Sequence, residues 1–157
     1  PQEIRSGSAF YDAIYHASNQ MFQNIDHGRK ALIVFSDGED NTSAHHMMET
    51  IEIAQANDVQ VFCIRYTETR AGRWTARNKY GRGVMERVAR ETGGADFDAA
   101  EHELAEHFRE IGDQLRSSYE IAYHSNNPQE DRTFHKIAVR VKRPGLAVRA
   151  KTGYFAK

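Results

Sequence analysis

The sequence predicts an α/β fold: a doubly wound, mainly parallel sheet with flanking helices, extended at its C-terminal end by an antiparallel β-meander. Three observations carry that expectation. The run Ala31-Leu32-Ile33-Val34-Phe35 stops abruptly at Ser36-Asp37-Gly38-Glu39-Asp40-Asn41. A short apolar run rich in β-formers and bounded by turn residues reads as a strand buried on both faces, the kind found in parallel sheets. Helical and strand patterns then alternate along the chain, the order expected of a parallel sheet covered by helices. Beyond Leu115 the period changes to strict alternation, which marks added antiparallel strands.

Taken in order, Phe10, Ile14, Ala17, Met21, Phe22 and Ile25 recur at spacings of three and four, predicting an amphipathic helix of about four turns. Ser8 stands where an N-cap belongs, and Asp12 near the positive end of the helix dipole. Gly28 precedes the strand at Ala31. Met47, Met48, Ile51, Ile53 and Ala54 predict a second helix, followed by a strand from Val59 to Ile64. A third helix spans Val84 to Glu91, with Val84, Val88 and Ala89 inward, and stops at Gly93-Gly94, a glycine C-cap. Ala95-Asp96-Phe97 offers a third strand, and Leu104, Phe108, Ile111 and Leu115 line a fourth helix. The meander is predicted from Tyr119-Glu120-Ile121-Ala122-Tyr123, from His135 to Val141, and from Leu146 to Ala150 after the Arg143-Pro144-Gly145 turn. Gly153-Tyr154-Phe155 closes the chain's patterned part. The expected division is residues 1–116 for the α/β part and 117–157 for the extension.

Composition narrows the function classes. With 157 residues, 27% of them charged, and a formal charge of -1, the chain has no global electrostatic reason to bind nucleic acid or a membrane surface. No apolar run approaches the roughly 20 residues that span a bilayer. The sequence opens at Pro1 rather than Met, and a piece of a longer protein is expected. The single cysteine, Cys63, lies in an apolar strand pattern and is expected to be a small buried residue, leaving the compartment open.

Open parallel sheets bind ligands outside the carboxyl ends of their strands. There the sequence places Asp37, with Glu39, Asp40 and Asn41 beyond it, and brings Ser8 to the same rim from the Ser6-Gly7-Ser8 loop. A hydroxyl and a carboxylate are oxygen donors suited to a hard cation such as magnesium, which needs further ligands to complete its octahedron. The simpler reading of the same residues is a turn at Asp37-Gly38 and a helix cap at Ser8.

Ser6-Gly7-Ser8-Ala9-Phe10-Tyr11-Asp12-Ala13-Ile14 together with Leu32-Ile33-Val34-Phe35-Ser36-Asp37-Gly38 resembles the later part of a von Willebrand factor type A (VWA) domain. The ending, from Ser118 through Arg143-Pro144-Gly145 to Gly153-Tyr154-Phe155, is similar to bacterial proteins described as von Willebrand factor A-related. The resemblance covers nearly the whole chain. It implies a Rossmann-like, doubly wound sheet and a metal-ion-dependent adhesion site (MIDAS) made of an Asp-x-Ser-x-Ser segment, a threonine and a late aspartate. Ser8 stands at the threonine position and Asp37 at the late aspartate. No Asp-x-Ser-x-Ser segment precedes Ser8, so the family fold is expected to be incomplete on its N-terminal side. Its magnesium site, with manganese or calcium as alternatives, is then weak or absent in this fragment. Loss of the family's central first strand would leave Ala31 to Phe35 as an apolar edge prone to self-association. The family also implies cell adhesion through a protein ligand bearing an acidic group, and a secreted or envelope location.

Other constellations imply less. Among eight histidines, His45-His46 are adjacent and His102 and His107 are five apart, with no cysteine pairs beside them, so no zinc site is expected. Arg65 to Arg90 is rich in arginine and contains Trp74 and two tyrosines. The simpler reading is a long solvated loop; the alternative is a functional loop for an acidic or phosphate-bearing partner, in which Arg73, Trp74 and Arg77, with Glu39 and Asp40 at the rim, are candidate partner-binding residues. Neither a Gly-x-Ser-x-Gly elbow nor a phosphate-binding glycine loop is present, so an enzyme is not expected. The expected function is a metal-dependent protein-binding module; the alternative is a metal-free scaffolding domain of a bacterial envelope or secreted protein.

Overall fold

The computed structural model describes residues 7–22, 25, 28–67, 75–125 and 133–156. Within them the chain runs α1 (Phe10–His16), a wider π turn (Ala17–Met21), β1 (Lys30–Ser36), α2 (Met47–Ala56) and β2 (Val59–Arg65). It continues through α3 (Ala76–Thr92), β3 (Asp96–Asp98), α4 (Leu104–Arg116), β4 (Phe134–Lys136) and β5 (Gly153–Phe155). Strands β1, β2 and β3 form a parallel sheet in that order, and β4 and β5 a separate antiparallel pair. The architecture is mixed α/β, a parallel sheet flanked by helices. The strand order does not reverse among these three strands.

The sheet's centre is β2, and its alternation explains the two cores. Val59, Val61 and Cys63 point to one face, where they pack with Phe10 and Ile14 of α1, Ile51 of α2, and Met85 and Val88 of α3. Phe62 and Ile64 point to the other, against Phe97 and Ile111 of α4. Strand β1 is not buried on both faces as its apolar run alone suggests. It lies at the sheet edge, where loss of the family's first strand is expected to leave it, its residues are half-buried, and Phe35 is 48% exposed. Phe35 rests on Phe108 of α4, ring centroids 5.9 Å apart. Cys63 is fully buried, and burial pushes its thiol pKa far up, as its apolar role requires.

Several elements differ from expectation for local reasons. Helix α1 passes into the π turn after His16, which shifts its later residues off the buried stripe; Met21 and Ile25 are exposed. Helix α3 begins eight residues earlier than Val84, capped by Thr75, whose hydroxyl accepts from the Asn78 N–H at 3.1 Å. Arg77, Lys79 and Arg82 therefore sit on a helix rather than in a loop, and Arg65 ends β2 as a buried side chain. Gly93 ends α3 in the left-handed conformation (φ +83°), as its C-cap position requires. Helix α4 turns His107 and Ile111 inward, whereas Leu104 and Phe108 lie largely exposed.

The predicted meander reduces to one strand pair. Tyr119–Tyr123 and Leu146–Ala150 form no strands despite their alternation, and the strand predicted from His135 to Val141 shortens to Phe134–Lys136. The segment before β5 seats on this chain's own α/β part. The Thr152 N–H donates to the Glu91 carbonyl at 3.2 Å, and the Lys151 ammonium donates to the Gln55 carbonyl at 3.2 Å and pairs with Asp58. A cation at the C-terminal end of α2 complements that helix's dipole.

Candidate functional site

The carboxyl rim is assembled from the ends of the three parallel strands. Ser36, Arg65 and Asp98 are register partners across the sheet, and Asp37 follows one residue beyond that row. The loop from Asp37 to His46 then folds back over the N-terminus of α1. Its path depends on Gly38, whose φ is +78° and whose missing Cβ would stand 2.2 Å from the Gly81 carbonyl oxygen on α3. Gly81 is equally constrained, since a Cβ there would lie 2.1 Å from the Asp37 carbonyl oxygen.

Ser8 is drawn to this loop through its backbone. Its N–H donates to Asn41 Oδ1 at 2.8 Å, and its carbonyl accepts from the N–H groups of Asn41 (3.0 Å) and Thr42 (3.3 Å). Ser8 is not the N-cap of α1: Ala9 holds that position without a side-chain cap. The orphan donors of α1 are satisfied from the loop instead. Asp40 Oδ2 accepts from the Tyr11 N–H at 2.9 Å, and Ser43 Oγ accepts from the Asp12 N–H at 3.0 Å. Asp40 also accepts from the Ser43 N–H at 3.2 Å. Asp40→Ala is accordingly expected to destabilise the fold by about 1–2 kcal/mol, as loss of an N-cap acceptor does. Urea unfolding measures it, and an unchanged midpoint would remove Asp40 from the capping role.

The other rim carboxylates are also engaged. Asp37 Oδ1 accepts from the Glu39 N–H at 3.0 Å, and Glu39 pairs with Arg77 of α3 at 2.5 Å. Of the residues predicted to meet a partner, Glu39 and Arg77 pair with each other and Asp40 is bonded to α1, while Arg73 and Trp74 lie outside the described residues.

Two features of this region escaped the sequence reading. The first is a buried charge network. Arg65, 4% exposed at its side chain, reaches Asp98 at 3.0 Å and Asp96 at 3.6 Å. Burial pushes the Asp96 carboxyl up to about 6, against the pull of the Arg65 charge. Burial pushes Asp98 up as well, but the Ala100 N–H and the Arg65 guanidinium outweigh it and hold its carboxyl below the usual range.

The second is a side-chain cluster on the outer face of α1. The Ala44 and His45 N–H groups donate to Asp12 Oδ2 and Oδ1, each at 2.9 Å, and His45 Nδ1 lies 2.7 Å from Oδ1. These backbone donors, with the His45 ring, hold the Asp12 carboxyl down at about 2. His16 lies one helical turn on from Asp12, its ring edge-on to that of His45 with centroids 5.4 Å apart. Among the described residues, Asp12, His16 and His45 are the group of His, Cys, Asp and Glu side chains whose ligand atoms converge, all within 4.8 Å of one another. The Asp-x-x-x-His spacing was visible in sequence; the arrival of His45 beside it was not.

Comparison with known proteins adds little to this geometry. No family model matches the sequence, and no curated protein matches it. Among solved structures, an uncharacterized membrane spanning protein from Vibrio fischeri is similar at 16% identity and a TM-score of 0.40. The match covers 63% of this chain and 51% of that one, so the chain spans about half the length of that structure. No helix among the described residues is long and apolar enough to cross a membrane.

Proposed function

We propose that this chain is a protein-binding module of the VWA type, in which Ser8 and Asp37 contribute oxygen ligands to a magnesium-class cation at the carboxyl rim of the sheet. The observation that supports the reading is the bonding of the Ser8 segment to the loop that leaves β1 directly after Asp37. Those bonds hold the Ser8 backbone against Asn41 and Thr42, four and five residues beyond Asp37. The donor chemistry fits: magnesium is commonly held by one or two protein oxygens with several waters retained, and manganese or calcium accept the same donors. A bound cation would supply a fixed positive charge for an acidic group of the partner. Asp37, Ser8 and the loop around them would orient that cation, with Gly38 and Gly81 fixing the loop's height above α3. Adhesion outside the cytoplasm is the role this reading assigns.

Calorimetric titration with Mg²⁺ and Mn²⁺ tests it, on this chain and on one extended upstream to carry an Asp-x-Ser-x-Ser segment. Saturable binding is expected in the extended chain, weak or no binding in the present one, and loss in Asp37→Ala with the fold intact. Unchanged affinity in Asp37→Ala would overturn the assignment. Absence of binding in both chains would favour a metal-free scaffolding domain.

A further inference from the structure

We propose that Asp12, His16 and His45 form a second, separate metal site, one for a divalent transition ion of the zinc class. Two imidazoles and a carboxylate are a borderline nitrogen and oxygen donor set, which suits zinc, cobalt, nickel or copper and not magnesium or calcium. The rim donors Ser8 and Asp37 have the opposite chemistry, so the two sites select different ions.

The cluster is built before any ion arrives. Asp12 and His16 stand four residues apart on α1 and share its outer face. His45 is delivered to that face by its own N–H and that of Ala44, both bonded to the Asp12 carboxylate. Its ring is then fixed by stacking on Tyr15, with centroids 3.7 Å apart and planes inclined by 15°. Side chains already ordered by packing lose little freedom on binding. Around a tetrahedral zinc with bonds of about 2.0 Å, ligand atoms stand roughly 3.3 Å apart. The three ligand atoms here already lie within 4.8 Å of one another, so small side-chain rotations suffice, and exposed His16 has room to make them.

A plain Asp12–His45 hydrogen bond, with His16 packed edge-on against the His45 ring, is the alternative that the metal titration would decide against. An imidazole ligates a metal only in its neutral form, so binding weakens on acidification. Three protein ligands leave a fourth tetrahedral position, and the site's partial exposure opens it to water or to an acidic group from outside.

The test is a titration of the untagged chain with Co²⁺, read by its visible d–d absorption, and with Zn²⁺ by calorimetry. One ion per chain is expected, with the intense bands of a tetrahedral cobalt site. His16→Ala and His45→Ala should each weaken binding by more than about tenfold, the low end of what losing even an outer-sphere partner costs. His46→Ala, on the neighbouring exposed histidine, and Asp37→Ala should leave it unchanged. His16 is exposed, so its replacement leaves the fold intact, and far-UV circular dichroism verifies that. Equal affinity in His16→Ala and the parent chain, or no saturable binding by the parent chain, would overturn the proposal. Loss of zinc binding in Asp37→Ala alone would place the ion at the rim and overturn it as well.

Discussion

Gly81→Ala and Gly83→Ala, two residues apart on α3, are expected to move stability in opposite directions. In an exposed helix interior, replacing glycine by alanine stabilises by roughly 0.8–1 kcal/mol, because alanine has less backbone freedom to lose. Gly83 is exposed, and a Cβ there meets nothing within 4 Å, so that gain should appear in full. At Gly81 the same methyl group would stand 2.1 Å from the Asp37 carbonyl oxygen. The obstacle is backbone, held in turn by Gly38, and cannot swing aside as a side chain would. Overpacking of this kind costs about 1–3 kcal/mol, enough to outweigh the helix-propensity gain. Urea unfolding of the two variants should give midpoints on either side of the parent. The Gly81→Ala spectrum should also show amide shifts through the Asp37 to Ser43 loop. A Gly81→Ala protein as stable as Gly83→Ala would mean that the loop does not lie on α3.

Arg65→Met is expected to cost about 3–5 kcal/mol at pH 8, the penalty for removing one partner from a buried ion network. Methionine fills the space of the aliphatic stem but leaves Asp96 and Asp98 as neighbouring carboxylates without their cation. The loss should depend on pH with a definite sign. The Asp96 carboxyl titrates at about 6 in the folded chain, above its ordinary 3.8, chiefly because it is buried. Its contribution to stability is therefore complete below about pH 4 and disappears as pH rises through 6, since the unfolded chain ionises first. Without Arg65 the carboxyl rises further and the decline extends above pH 6. The parent and the variant should accordingly differ less at pH 5 than at pH 8 in denaturant unfolding. A difference independent of pH would show that Arg65 acts by packing alone.

Much of the parallel α/β part was legible because its signals are local. Met47 to Ala56 and Val59 to Arg65 each hold one period without interruption, and Gly93 marks its helix end by a conformation that glycine adopts without strain. Helix α3 was half missed because Ala76 to Gly83 is polar and carries two glycines. Its Thr75 to Asn78 capping box was the available signal. Ser8 shows the opposite failure: the residue type suited a cap, but an acceptor from Asp40, distant in sequence, took the position. At the site, Asp37 at a strand end was readable from one segment. The Asp12, His16 and His45 convergence was not, because it joins α1 to a loop beyond β1.

By itself the sequence determined the apolar periods of α2, β2 and the second half of α3, segments that fold as those periods predict. It also determined that Asp37 follows a strand and that Cys63 is an interior residue. Only the tertiary structure decided that β2 is the strand buried on both faces, that Arg65 is a buried cation, and that Asp40 caps a helix it does not belong to. It also decided that the alternating residues Tyr119, Ile121 and Tyr123 stay exposed and unstranded. Periodicity is set by the dihedral angles of neighbouring residues and is written locally. Burial and hydrogen-bond partnership depend on which distant segments arrive, and a strand pattern becomes a strand only when another edge pairs with it.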